Sequence, residues 1–503
     1  MDIIRNFPCV SIMLCLFAGI ITSGVKEKTA KCINRTLIMT VFALNALTLY
    51  YTLVTGGAFV YVMGMFPAPW GNELRAGSLE ALMATFFSII MMLSLCGGKK
   101  KLFDEVDPEK HNLYYIMTDV MLASLLALVY TNDLFTAYVF VEINTISACG
   151  LIMIRQNGRT IEASVRYMIM SLLGSGLLLM GLCILYDMTG HLLMSNIRES
   201  VIEIVQRGIY KIPLTVAICI MCVGLAIKSA LFPFHSWLPD AYGYSTVSSG
   251  AILSSLVSKG YIFLLIKIFY RVIGFNLIRG SHILNVLFVF GLCGMIFGSI
   301  SAIWEKDIRR MIAFSSVAQI GYIYMGFGLG TTEGMVASIF HILAHAATKS
   351  LLFISAIGLT DVSGGSRSFF ELTGSAYRNK VAGVGFTVGS LSMVGIPIFS
   401  GFVSKLLFAE AAVLHPDQKM LPTLIVLAIS TILNAIYFMK TVLRIYVPEN
   451  KAVIEQKGYF SVTAGQQKTY TVTIICFTVL NLFLGMMSEP IIHVIKVGLS
   501  NFA

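Results

Sequence analysis

Residues 224–243 read GLAIKSALFPFHSWLPDAYG, and they decide how the rest of the chain is read. A long apolar run ends in one lysine, Lys228, and Pro233 and Pro239 then break the helix just beyond it. An ammonium in such a run is costly in either of two apolar solvents, a protein core or a lipid bilayer. Composition chooses between them. Hydrophobic residues make up 57% of the 503 residues and charged residues 12%, about half the charged share of soluble domains, roughly 25%. So much apolar side chain cannot be hidden in one soluble core, so lipid is the solvent for much of the surface.

Crossing ~30 Å of hydrocarbon takes about 20 apolar residues. On that measure the chain is an all-α membrane protein of about fourteen spans, centred near residues 16, 44, 88, 121, 143, 174, 221, 258, 291, 319, 346, 397, 432 and 482. The first lacks the small-residue cleavage site of a signal peptide. The ten cysteines are scattered. Cys219 and Cys222 make a lone C-x-x-C that reads as packing, since no second pair completes a metal set. No cofactor or metal is expected.

Lysine and arginine total 36, and 22 of them lie in connections after odd-numbered spans, against nine at the termini and in even connections. By the positive-inside rule the odd connections face the cytoplasm of a cell membrane and both termini lie outside. Five lysines remain, all within spans: Lys228, Lys259, Lys267, Lys349 and Lys405. Lys267, near a span end and one turn before Arg271, is expected to snorkel to the interface. The other four need another reason. Lysine is the base that burial most readily brings to lose its proton near neutral pH, so a series of them reads as a proton relay.

A carboxylate is available to set their protonation. YVFVEINTISACGLI, residues 138–152, places Glu142 in span 5 with no other charge between Asp133 and Arg155; beside Lys228 it would favour the ammonium. HILAHAATKSLLF, residues 341–353, stacks His341, His345 and Lys349 at steps of four on one face of span 11. Ile342 stands where the zinc-protease motif H-E-x-x-H needs glutamate, so that chemistry is excluded. GIPIFSGFVSKLLF, residues 395–408, interrupts span 12 with Gly395, Pro397 and Gly401 just before Lys405. Broken helices at membrane depth are tolerated where protein or a watery cavity satisfies the freed backbone, and paired breaks mark transporter ion sites. The break after Lys228 thus makes a candidate uptake mouth lined by His235, with Asp240 beyond it. No nucleophile–base pair points to an enzyme.

Three segments, KSALFPFHSWLPDA, HILAHAATKSLLF and GIPIFSGFVSKLLF, resemble in order the signatures of the antiporter-like subunits shared by respiratory complex I, Mrp-type Na+/H+ antiporters and energy-converting membrane-bound hydrogenases. The resemblance covers spans 4 to 13. It implies three N-terminal helices over residues 1–111, inverted five-helix repeats over 112–272 and 281–447 (spans 4–8 and 9–13, with spans 7 and 12 broken), and a fourteenth helix in 448–503. It also implies a Glu142–Lys228 pair, the helix 8 lysine at Lys259, the helix 11 polar residues at His341, His345 and Lys349, and the terminal lysine at Lys405. Residues 64–84, GMFPAPWGNELRAGSLEALMA, resemble the proline-rich segment of the D-type subunit of Mrp antiporters, but no aspartate stands at 76–78 and Glu80 lies nearby instead. The expected function is proton translocation in an Mrp-type Na+/H+ antiporter, with other membrane subunits as partners. The alternative is the homologous pumping subunit of a hydrogenase or of complex I.

Overall fold

The computed structural model describes residues 2–66, 71–448 and 457–502. Residues 67–70 of the proline-rich segment, and Lys451 of the charge count, lie outside the described residues. Among the described residues, thirteen helices are long and apolar enough to cross a membrane. A further crossing is made in two halves, Lys380–Val394 and Ser400–Leu414, so the expected fourteen spans are present, and the architecture is all-α.

Spans 1 to 6 are Phe7–Ser23, Glu27–Thr55, Ser78–Glu105, His111–Tyr130, Leu134–Met153 and Gly158–Thr189. Span 7 is Lys211–Ser229, continued after a break by Leu238–Tyr244. Spans 8 to 11 are Val247–Ile273, Ile283–Trp304, Ile308–Gly328 and Thr332–Asp361. After the broken twelfth come Met420–Ile445 and Lys468–Met486 as spans 13 and 14. Several starts are written in the sequence as N-caps, whose side chains accept from orphan amides of the first turn. Asp133 caps span 5 through Thr136 (2.6 Å), Asp307 caps span 10 through Arg309 (2.8 Å) and Thr331 caps span 11 through Gly334 (3.0 Å).

The connections sort onto two faces. Arg155, Tyr244, Asp307 and Arg367, from the ends of spans 5, 7, 9 and 11, line one cavity, and Lys101 near the end of span 3 pairs with Asp361 at the end of span 11. On the other face, Arg279, Thr331 and Asp417 share a cavity, Met194 donates to the Asn132 carbonyl, and Arg75 bonds the Asn501 carbonyl. The basic odd connections therefore lie together, opposite the C-terminal helix.

Spans 8 and 11 are buried along the whole of their apolar windows, whereas spans 1, 2 and 14 bury a third of theirs. A helix that is apolar all round belongs in the centre. Spans 6 and 7 meet at Gly174 and Gly224: a Cβ on Gly174 would fall 2.8 Å from the Gly224 carbonyl oxygen. Small residues allow that close backbone approach in lipid.

Three elements have no counterpart in the sequence reading. An antiparallel pair, Phe59–Val62 with Glu73–Ala76, sets Phe59 opposite Ala76 and covers the turn after span 4, where Asn132 donates to the Glu73 carbonyl. Between spans 6 and 7, Met194–Arg207 buries Met194, Ile197, Val201 and Ile204 along one stripe. After span 14 a separate helix, Ser488–Ser500, packs Gly498 against Leu79. The C-terminal segment thus holds two helices, where the sequence reading expects the fourteenth span alone.

Candidate functional site

Lys228 sits in the last turn of the first half of span 7, where the exposed carbonyl dipoles favour a cation. Its ammonium donates to the Thr145 hydroxyl at 2.7 Å and lies 5.4 Å from the centre of the Tyr261 ring. Glu142, one turn before Thr145, is the carboxylate facing it. The two charges make no direct ion pair, and Glu142 Oε1 is buried without a hydrogen-bond partner among the described residues. The Tyr261 hydroxyl in turn donates to Asn144 (3.0 Å), and Asn144 to Ser124 (2.8 Å). The pair that resemblance implies thus faces across spans 5 and 7, with Thr145 and not Glu142 as the hydrogen-bond partner of Lys228.

The break beyond Lys228 places His235 half-buried, its ring stacked on Phe232 at 5.4 Å and its Nδ1 without a described partner. Asp240 is engaged otherwise: it pairs with Arg310, and with Arg166 at 3.2 Å, while Arg310 also holds Glu305 at 2.9 Å. These bonds tie the second half of span 7 to spans 6 and 10, so Asp240 acts as a clamp on the broken helix in this conformation.

Lys259 lies in the enclosed span 8, just after a π-helical turn, Leu253–Val257. Such turns widen a helix locally and free carbonyls, and Lys259 donates to the Ser254 carbonyl. The charged and titratable groups facing it are Lys349, His345 and His341. Lys349 donates to the Ile312 carbonyl at 2.7 Å and to the Ser315 hydroxyl. Serines fill the space around them: Ser350 bonds Ser255 (2.7 Å) and Ser94 (3.2 Å), and Ser254 bonds Ser316 (3.2 Å).

His341 and His345 stack parallel at 5.9 Å. His341 also stacks on Tyr322 at 5.5 Å and bonds Ser404 through Nδ1 at 3.0 Å. Neither ring nitrogen of His345 has a hydrogen-bond partner among the described residues. The stripe read from the sequence is present, but its middle member makes no hydrogen bond there.

At the far end, the break in span 12 builds the place for Lys405. Gly395 stands at φ 90°, which favours glycine, and a Cβ there would lie 2.9 Å from Lys405 Cδ. The ammonium donates to Val394 O at 2.7 Å and to Thr431 Oγ1 at 3.1 Å, and lies 5.7 Å from the centre of the Tyr322 ring. Lys259, Lys349 and Lys405 make no ion pair with any described acid.

Span 13 supplies residues that the sequence reading missed. Tyr437 faces Ser315, the partner of Lys349, and donates to Asn434. The Tyr322 hydroxyl faces Ser430, Thr431 and Asn434. A string of polar groups therefore joins Lys349 to Lys405 along span 13. The signal was available: Thr423, Ser430, Asn434, Tyr437 and Thr441 recur at helical spacing in an otherwise apolar span.

One expectation is corrected. Lys267 does not snorkel; it is fully buried and donates to the carbonyls of Val129 (2.9 Å), Leu128 (3.4 Å) and Thr131. Span 8 is enclosed by protein on every side at that level, so the ammonium caps the last turn of span 4 instead. Asp119 in span 4, also missed, is buried and accepts from Asn34 at 2.6 Å, away from the lysine line.

The family described as NADH:quinone oxidoreductase/Mrp antiporter, transmembrane, matches residues 131–433, which includes all nine candidate residues. Among similar proteins, the N-type subunit of an NADH-quinone oxidoreductase from Desulforudis audaxviator is 32% identical over 418 residues, 81% of this chain and 79% of that one. The D-type subunit of a Na(+)/H(+) antiporter from Alkalihalophilus pseudofirmus is 27% identical over 436 residues, covering 86% and 84%. The fold is shared with a chain of the Mrp complex from Dietzia sp. DQ12-45-1b, with a TM-score of 0.86 at 23% identity over 100% of this chain and 98% of that one. A chain of an archaeal membrane-bound sulfane sulfur reductase superposes with a TM-score of 0.85 at 22% identity.

Proposed function

We propose that this chain, which belongs to the NADH:quinone oxidoreductase/Mrp antiporter transmembrane family, translocates protons as one membrane subunit of a multisubunit Mrp-type Na+/H+ antiporter. The observation that carries the proposal is a line of enclosed lysines with a broken helix at each end, of which Lys349 and Lys405 are joined by polar side chains of spans 10 and 13. A proton taken up at the His235 break reaches Lys228, whose protonation answers to Glu142. It passes to Lys259 and then to Lys349 in the enclosed centre.

From Lys349 two lines lead on. The histidine stripe is one, and the span 13 string is the other. Ser315, Tyr437, Tyr322 and Thr431 each donate and accept hydrogen bonds, and Asn434 orients Tyr437. Both lines end at Lys405, which releases the proton toward the face opposite the basic connections. Buried waters satisfying the unpartnered Tyr322 and His341 groups would complete the contacts. Among the described residues no single span presents an oxygen-rich cage for sodium, which fits a sodium path in another subunit of the assembled complex.

The test is proton flux in vesicles holding the assembled complex. Lys405→Ala is expected to abolish pH-gradient-driven exchange while the partner subunits still copurify; Lys405→Arg should fail too, because guanidinium does not release its proton. Exchange retained in the arginine variant would remove Lys405 from the titrating path.

A second reading keeps the relay and changes its drive. The 32% identity to a quinone oxidoreductase subunit favours a place in a redox-driven pump. Flavin or iron–sulfur absorbance in the complex purified in mild detergent would select that reading over the antiporter.

A further inference from the structure

On the face that carries the basic connections, a cavity of about 530 Å³ opens between spans 2, 3, 11 and 14. That volume is in the range of small-molecule sites. Lys31, Lys99, Lys100, Lys101 and Lys468 line it, and Asp361 is its one acid among the described residues. Asp361 is taken by Lys101 at 2.6 Å. Glu27, the other acid near Lys31, lies 3.0 Å from His111. Lys31, Lys99, Lys100 and Lys468 make no ion pair with any described residue, so four lysines without a described acid partner share one cavity wall. Like charges held together in a concave site call for an anion.

What lies below the lysines says which anion. On span 14, Lys468 heads a stripe continued by Val472, Ile475 and Val479, at helical steps of four, three and four, each more than half exposed. On span 2, Lys31 and Arg35 head a second stripe that continues into the exposed Met39. Each stripe is cationic at the helix end and apolar toward the middle of the membrane. The cavity wall between them holds Cys96, Ile357 and Tyr470. Charge at the top and grease beneath is the complement of a lipid, not of a free phosphate. By the positive-inside rule this face meets the anionic inner leaflet, where basic pockets between helices hold lipid head groups.

We propose that this cavity seats the phosphate of an anionic phospholipid, with its acyl chains lying along the exposed faces of spans 2 and 14. The site is independent of the lysine relay, and its test does not use transport. The assembled complex is placed in phosphatidylcholine nanodiscs doped with photoreactive phosphatidylglycerol, and labelled peptides are identified by mass spectrometry. Adducts are expected in residues 96–103 and 468–476. The pair Lys99→Gln and Lys468→Gln should reduce them at least about tenfold, since each lysine contributes on the order of one charge's attraction to the leaflet. Lys380→Gln, exposed on the same face outside the cavity, should leave them unchanged.

Four results would overturn the proposal. They are undiminished labelling in the paired variant, equal labelling by photoreactive phosphatidylcholine, and full protection by inorganic phosphate at concentrations that leave the lipid bilayer intact. The fourth is a cross-linker at Gln467 that captures a neighbouring subunit in place of lipid. Copurification of the partner subunits with the paired variant separates loss of the lipid from loss of the fold.

Discussion

Lys405 donates to the carbonyl oxygen of Val394, 2.7 Å away, across a gap opened in its own helix. In an unbroken helix that carbonyl would be taken by the amide four residues on. Here Gly395 and Ile398 leave the helical region, at φ 90° and 83°, so the acceptor is free and the ammonium fills the place of the missing amide. The break makes the site, and the site explains the break.

Gly395→Ala therefore tests the geometry without touching the lysine. It adds a left-handed strain of ~1–2 kcal/mol and a methyl 2.9 Å from Lys405 Cδ. Flux in vesicles is expected to fall roughly tenfold, equivalent to about 1.4 kcal/mol, with the complex still assembled. Full flux would mean that Lys405 works in another position.

Tyr437→Phe removes one hydroxyl from the string between Lys349 and Lys405 and keeps the ring. The variant should slow flux as Lys349→Ala does, and the double variant should be little worse than either alone. Groups in one network couple by ~0.5–3 kcal/mol. His345→Ala, whose ring has no hydrogen-bond partner among the described residues, should couple to Lys349→Ala if the histidine stripe carries the same protons. A simple product of losses for either pair would separate that residue from the route.

At the other end, Thr145 holds Lys228 and Glu142 faces it. Thr145→Val should lower flux by leaving the ammonium without its one hydroxyl partner. Glu142→Gln should alter the pH profile as well as the rate. An unchanged profile in Glu142→Gln would show that the carboxylate does not govern the lysine.

Lys267 has the opposite signature. Its ammonium satisfies three carbonyls at the end of span 4, and buried acceptors left without a donor cost ~1–3 kcal/mol. Lys267→Met should lower the melting temperature of the detergent-solubilised complex and leave flux per assembled complex intact. Lost flux at wild-type stability would move Lys267 into the relay.

Outside the membrane, Glu371 accepts from Tyr459 and from Lys457 at 2.9 Å, which holds its carboxyl below the ordinary range. A depressed carboxylate lends its contact in full above the ordinary value, near 4.5, and loses it as pH falls through the lowered value. Protection of residues 457–462 relative to the intrinsic exchange rate should therefore be high at pH 7 and fall in acid. Glu371→Gln should make the protection independent of pH, and an unaltered acid response in that variant would assign the effect elsewhere.

The sequence carried the membrane class, the fourteen crossings and the two breaks, because each is a local property. Hydropathy over about 20 residues defines a span, and proline or glycine beside a lysine marks where a helix stops. The four lysines outside the snorkelling expectation were legible for the same reason: a charge in an apolar run stands out against its neighbours. Their arrangement was partly legible, since His341, His345 and Lys349 share a face by helical spacing alone.

Partner choice lay beyond that reach, because it depends on which helices meet and at what height. Lys267 and Lys259 are alike in sequence, yet one caps span 4 and the other faces Lys349. Asp240 looked available and is held by two arginines from other spans. The polar face of span 13 was visible as a pattern, but only the packing of spans 10, 12 and 13 turned Tyr437 and Thr431 toward the lysines. By itself the sequence determined that protonatable groups lie at membrane depth; tertiary packing decided which of them touch, since hydrogen bonds form over about 3 Å between residues on different spans, 83 positions apart for Lys228 and Thr145 and 34 for Lys349 and Ser315.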